Sequence, residues 1–292
     1  MPRRFLSAIL PVSGGAMFGE MQMERPEALR KQFYCAFVMA VVLALAPVDI
    51  ASANAPPKYD HIVVVVMENH SLEQILSAPA ARYLQRLAQH GALFTDSHGV
   101  AHPSQPNYLA LFSGSTHGVR DDGTHEFAAP NLAARLRAAG RTFVGYVEDG
   151  SPRKHNPWES FNDARKFERS LATFPLRYEN LPDVCFVIPS LPNDMHDGTI
   201  GKADDWLKAH LGTYAIWSRT HNSLLIVTFD EDDYGLENRI FTVLVGARIR
   251  PGRYAQNIDH YTLLRTIEEI EGISPLGASV IKSPIVGTWK SR

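Results

Sequence analysis

The chain has 292 residues, 45% hydrophobic and 21% charged, with 29 basic against 31 acidic side chains and a formal net charge of −2. That composition excludes a disordered, collagen-like or coiled-coil chain, and the lack of a basic excess argues against a nucleic-acid partner. Two cysteines are too few for a disulfide scaffold or a four-thiolate zinc site, so the 12 histidines are the count that stands out.

Arg30 and Lys31 precede an uncharged run, FYCAFVMAVVLALAPV, from Phe33 to Val48, and Ala51-Ser52-Ala53 follows as a small-x-small cleavage pattern. Together these read as a secretory signal over residues 1–53, with a single domain over 54–292 and a secreted or periplasmic location. The run is shorter than the roughly 20 residues that span a bilayer, so no stable membrane anchor is expected after cleavage. The segment ahead of it is long for an n-region, and a start at Met21 or Met23 would make the signal conventional. Cleavage after Ala53 would remove Cys35 and leave Cys185, in the apolar run VCFVI, as an inert buried thiol.

Along the remaining chain, His61 to Met67 reads HIVVVVM, a β-branched run of the kind buried on both faces of a parallel sheet. A helix is expected over Ala80–His90, stopped by Gly91, and a second, capped by Asn131, over LAARLRAA. Strands are expected at Thr142–Val147, Cys185–Ile188, Leu224–Phe229 and Phe241–Val245, and helices at Ala203–Ser218 and Tyr261–Glu271, the last stopped by Gly272. Residues 148–182 lack periodicity and read as a long excursion over the sheet. Alternating strands and helices predict one α/β domain, with a mainly parallel central sheet and helices on both faces.

Ligands of open α/β sheets sit at the carboxyl ends of strands, and the chemistry-bearing residues gather there. The first strand runs into Glu68-Asn69-His70, and LLIVTF runs into Asp230-Glu231-Asp232-Asp233. Both are hard-oxygen groups directly after buried strands, where an unpaired charge is costly, so a shared cation and solvated loop carboxylates are competing readings. Between them, AHPSQPNYLALFSGS carries His102, Ser104 and Asn107 in a Pro-punctuated turn. A serine hydroxyl needs a base or a metal to become a nucleophile, and no G-x-S-x-G motif is present. Metal activation therefore competes with a plain helix-capping role for Ser104.

VVVVMENHS, HPSQPNYLALFSGS, RKHNPW, IPSLPNDMHDGTI, LLIVTFDEDD and DHYTLLRTIEEIEG, in that order from about Tyr59 to about Leu276, resemble the bacterial phosphoesterase family. That family includes secreted acid phosphatases and phosphatidylcholine-type phospholipases C, and belongs to the alkaline phosphatase-like superfamily. The resemblance implies an alkaline phosphatase-like fold and a divalent metal bound by Glu68, Asn69, Asp230 and Glu231. It implies Ser104 as nucleophile, Asn107 as amide donor to a phosphoryl oxygen, and His102 beside them. Lys154, His155, His196 and His260 fall in the remaining motifs, as substrate-binding groups, leaving-group acids or ligands of a second metal. Glu231 and Arg239 stand where two-metal relatives keep histidines, which favours one metal over two. Oxygen ligands suit Mg, Ca or Mn, and any His ligand admits Zn or Fe. Asp194 and Asp197 read equally as ligands or loop caps, and His98, His117 and His125 flank the proposed site.

The implied activity is a metal-dependent phosphoric ester hydrolase, an acid phosphatase acting on small phosphomonoesters through a phosphoserine. A phosphodiesterase or phospholipase C using the same site is the alternative, and a non-catalytic phosphate- or metal-binding protein is a further one.

Overall fold

The computed structural model describes residues 55–234 and 237–290, so the expected signal over 1–53 lies outside the described residues. Strands β1 (His61–Met67), β4 (Phe143–Val147), β5 (Glu168–Ser170), β6 (Val184–Ile188) and β7 (Ser223–Phe229) run parallel, in the order β5-β4-β6-β1-β7. Strand β8 (Thr242–Val245) joins β7 antiparallel, and β2 (Ala92–Phe94) and β9 (Gly252–Tyr254) complete an eight-stranded sheet. Among the described residues, β8 is thus the one reversed strand of this sheet. The short strands β3 (Ser97–His98) and β10 (Ile258–Asp259) pair separately.

The β-branched run of β1 is buried because both sides of the sheet are covered. Ile62, Val64 and Val66 face one core layer, with helices α3 (Ser104–Ser113), α4 (Leu132–Ala138) and α7 (His260–Glu271). Val63, Val65 and Met67 face the other, with α1 (Leu72–Ser77), α2 (Arg82–His90) and α6 (Ile200–Trp217). Most of the α3 sequence is polar or apolar without helical periodicity, and all ten of its residues are buried.

The expected caps are present. The Asn131 side chain accepts from Ala134 N, and Gly272 closes α7 in the left-handed region, with φ 67°. The excursion over 148–182 is a chain of short 3-10 turns around β5, anchored by Trp158. Its indole packs over Gly145, where a Cβ would lie 2.3 Å from the ring, and donates to Glu168 Oε2 at 2.7 Å. Among the described residues no helix is long and apolar enough to cross a membrane.

Candidate active site

Three neighbouring strands deliver the acidic residues. Met67 and Phe229 are register partners at the ends of β1 and β7, so Glu68 and Asp230 leave the sheet side by side. Asp230 N donates to Met67 O at 2.9 Å, and Asn69 N to Asp230 Oδ1 at 3.2 Å, with Asn69 held at φ 53°. On the other side of β1, strand β6 leads into the four-residue helix α5 (Leu191–Asp194), whose Asp194 carbonyl accepts from Glu68 N at 2.9 Å.

The start of α3 completes the pocket. Pro103 takes the N-cap position and Ser104 is the first helical residue, which leaves the serine side chain free of the capping role. Its hydroxyl lies 3.1 Å from Glu68 Oε2 and 3.0 Å from Glu231 Oε1, and its one proton serves either acceptor. One turn along, Tyr108 donates its hydroxyl to Glu68 Oε1 and stacks on His155 at 5.0 Å between ring centroids. His155 Nε2 is 3.1 Å from Glu68 Oε1, and Nδ1 is 3.4 Å from Asp194 Oδ2, all fully buried.

Those distances are close, yet neither His155 nitrogen makes an aligned hydrogen bond. Asn69 Oδ1, Asp194 Oδ2 and Asp230 Oδ2 are likewise buried without a hydrogen-bond partner. Buried polar atoms of native proteins are nearly always satisfied, so this concentration of unmet acceptors fits a cation. Glu68, His155 and Asp194 present ligand atoms within 4.8 Å of one another. Hard oxygens plus one imidazole suit a divalent ion.

The electrostatics agree. Burial, reinforced by the charges of Asp230 and Asp194, holds the Glu68 carboxyl well above the usual range. Burial, then the neighbouring Glu231, does the same to Asp230, and burial lifts Asp194 to about 8 and Glu231 to about 7. Burial, then the charges of Lys154 and His196, pushes the His155 imidazole well below its ordinary value, which favours the neutral form that can ligate a metal.

Around this centre, His102 Nδ1 meets Glu231 Oε2, and its Nε2 is 3.6 Å from Asp232 Oδ1. Lys154 Nζ pairs with Asp122 Oδ2 at 2.8 Å and lies 3.4 Å from His196 Nε2, while His196 Nδ1 meets Asp197 Oδ1 at 2.7 Å. Burial disfavours the Lys154 charge, but the hydrogen bond and charge of Asp122 outweigh it and raise the Lys154 pKa. Asp122 also accepts from Gln105 N at 3.1 Å, tying the lysine to the start of α3.

The structure brings Glu68, Asn69, His102, Ser104, Lys154, His155, His196, Asp230 and Glu231 into one linked set of contacts, and revises several roles. Asn107 does not offer a free amide to a phosphoryl oxygen. Its Oδ1 accepts from Val100 N (2.8 Å) and Ala101 N (3.1 Å), and its Nδ2 donates to Ala101 O (2.8 Å) and Pro103 O (3.3 Å). It builds the turn that presents Ser104. His260 is not a substrate contact either. It is buried behind the site, with Nε2 2.6 Å from the Asp230 carbonyl, and positions that residue. Glu231 faces Ser104 and His102, whereas His155, read as a substrate group, sits with the metal-type ligands.

Asp194 fills both of its open alternatives: Oδ1 caps the loop by accepting from His196 N at 2.8 Å, and Oδ2 belongs to the buried cluster, at the end of the short helix that follows β6. Tyr108 and Asp122 were missed. Tyr108 lies four residues after Ser104, a spacing that puts both on one helix face. His98, His117 and His125 engage Asp96, Ser113 and Asp121 respectively.

The Phosphoesterase family model matches residues 74–274. A phosphatidylinositol-3-phosphatase of Mycobacterium tuberculosis is 42% identical, over 82% of this chain and 85% of that protein. A phosphate-repressible acid phosphatase of Penicillium chrysogenum is 30% identical, over 85% of this chain and 73% of its own. The crystal structure of a protein in the alkaline phosphatase superfamily from Vibrio parahaemolyticus superimposes with a TM-score of 0.56 at 14% identity, covering 79% of this chain and 72% of that one.

Proposed function

The chain belongs to the Phosphoesterase family and is a phosphoric ester hydrolase, and from that premise we propose that it cleaves phosphomonoesters through a phosphoserine formed on Ser104. The observation that carries this reading is the Ser104 hydroxyl, fixed at the first position of a buried helix between the carboxylates of Glu68 and Glu231.

Glu231 takes the hydroxyl proton as Ser104 Oγ bonds to phosphorus and the bond to the leaving oxygen breaks. His102, on the other Glu231 oxygen, holds that carboxylate toward the serine. Lys154 and His196 face the phosphoryl oxygens, and His196 passes a proton to the leaving alkoxide. Water then attacks the phosphoserine and gives its proton to His196, while Glu231 returns a proton to Ser104 Oγ and inorganic phosphate leaves. A divalent cation held by Glu68, Asn69, His155, Asp194 and Asp230 would supply a lowered serine pKa and offset phosphoryl charge. Glu68, Asp194 and Asp230 bring enough buried negative charge for one such ion.

The acid-phosphatase class follows the names of the fungal relatives. A second reading of the substrate, a phosphate on a lipid headgroup, is favoured by the 42% identity to the mycobacterial enzyme. Export through residues 1–53 would place either reaction outside the cytoplasm.

Ser104→Ala is expected to lower turnover of p-nitrophenyl phosphate by about a thousandfold or more, with an unchanged circular dichroism spectrum. Acid quenching of the wild type during turnover of labelled ester should trap label on Ser104. Near-normal activity of the variant refutes the nucleophile assignment. Parallel rates on bis(p-nitrophenyl) phosphate and phosphatidylinositol 3-phosphate separate diester, soluble and lipid substrates.

A further inference from the structure

Tyr234 lies outside every role assigned above, and its surroundings are unusual. It is 70% exposed, the aromatic member of the exposed large apolar side chains among the described residues. Its backbone is in the left-handed region, with φ 63°, a conformation that disfavours a bulky residue. Local bonds support it: Tyr234 N donates to Asp232 Oδ1 at 2.8 Å, and the next residue back, Asp233, accepts from Gln74 Nε2 at 2.6 Å. The ring lies on the His102 imidazole, with centroids 4.0 Å apart and planes inclined by 24°. His102 in turn contacts Glu231, whose other oxygen accepts from Ser104. The phenol is one residue removed from the nucleophile's hydrogen-bond network, and its exposure leaves the face opposite His102 open to solvent.

We propose that Tyr234 is a specificity-determining residue, its outer face a stacking platform for planar, aromatic leaving groups of esters whose phosphoryl group occupies the Ser104 pocket. The inference rests on the proposed reading of that pocket. An aromatic ring fixed by a partner on one face has already lost much of its rotational freedom, so a second ring can stack without ordering it again. Aryl and nucleoside-like leaving groups gain that contact, and small alkyl groups do not. The hydroxyl group is not required, because the contact is made by the ring.

The test compares phenyl phosphate with ethyl phosphate in wild type, Tyr234→Ala and Tyr234→Phe, with divalent cation present. Dividing the aryl by the alkyl kcat/KM, and each variant ratio by that of the wild type, cancels leaving-group reactivity and any shared effect through His102. The aryl preference should fall about two- to tenfold in Tyr234→Ala and be retained in Tyr234→Phe. Calorimetric affinities for phenylphosphonate and ethylphosphonate should show the same selective loss, without depending on turnover. Equal losses for both members of each pair would mean that Tyr234 only supports His102, and would overturn the proposal, as would an unchanged ratio. If the wild type hydrolyses neither ester, the Ser104 reading fails, and the phosphonate affinities alone decide the role of Tyr234.

Discussion

Asp194→Asn separates the buried carboxylate cluster as a cation site from the same cluster as a mere structural feature. Glu68 and Asp194 present oxygens within 4.8 Å of each other, a distance at which two unit charges repel by about 3.5 kcal/mol at an effective dielectric of about 20. Burial lifts the Asp194 pKa from an ordinary 3.8 to about 8. Across that window the cation-free native state holds a proton that the unfolded chain has released. The resulting stability is therefore complete below about pH 3.8 and lost as pH rises through about 8. At about pH 8.5, a divalent ion at a hundred times its Kd restores about 2.7 kcal/mol. For a domain of this size that corresponds to a Tm rise of about 5–10 °C, read by differential scanning calorimetry in chelator and then in Mg, Ca, Mn or Zn. Asp194→Asn should raise the Tm in chelator, because a repelling charge is gone, yet lose most of the response to cation. A wild type with the same Tm in chelator and in all four ions refutes the reasoning, as does an Asn variant that responds in full.

Two further perturbations probe the frame around the site. Asn107→Ala leaves the amides of Val100 and Ala101 without their acceptor, so a loss of about 2–4 kcal/mol is expected, with lowered kcat/KM. Weaker binding of inorganic phosphate at unchanged Tm would instead restore Asn107 as a ligand donor. Far from the catalytic groups, buried Glu268 accepts from Leu276 N at 2.8 Å and from the Ser279 hydroxyl at 2.6 Å, and burial raises its pKa from 4.5 to about 7. Its contribution is full below about pH 4.5 and lost as pH rises through about 7. The stability of wild type relative to Glu268→Gln should therefore fall by about 3 kcal/mol over that range in denaturant titrations. Parallel pH curves would refute it.

The strands were legible because β1 and β7 are buried on both faces and so carry continuous apolar runs. The helix ends were legible because Asn131 and Gly272 act locally. The direction of β8 was not, since FTVLV has the same pattern in either direction. The same distinction holds at the site. Glu68, Ser104 and Asp230 announce themselves by position, at strand ends and in a marked turn. Asn107 and His260 carry the right chemistry, but a sequence does not show that backbone groups already occupy the Asn107 amide and the His260 Nε2. Asp194 was ambiguous because a carboxylate after a short turn caps loops as readily as it binds ions.

The pairing of Met67 with Phe229 places Glu68 and Asp230 by backbone register, not by side-chain preference. Side chains alternate across a sheet with a period of two, so a one-residue slip turns a carboxylate to the opposite face. Conservative replacements within HIVVVVM or LLIVTF should be absorbed by the core. A single-codon deletion or insertion in either segment would aim Glu68 or Asp230 into the wrong layer. Chain length between the sheet's first pairing and its acidic ends is thus the tighter structural constraint, and indels the more damaging class of change.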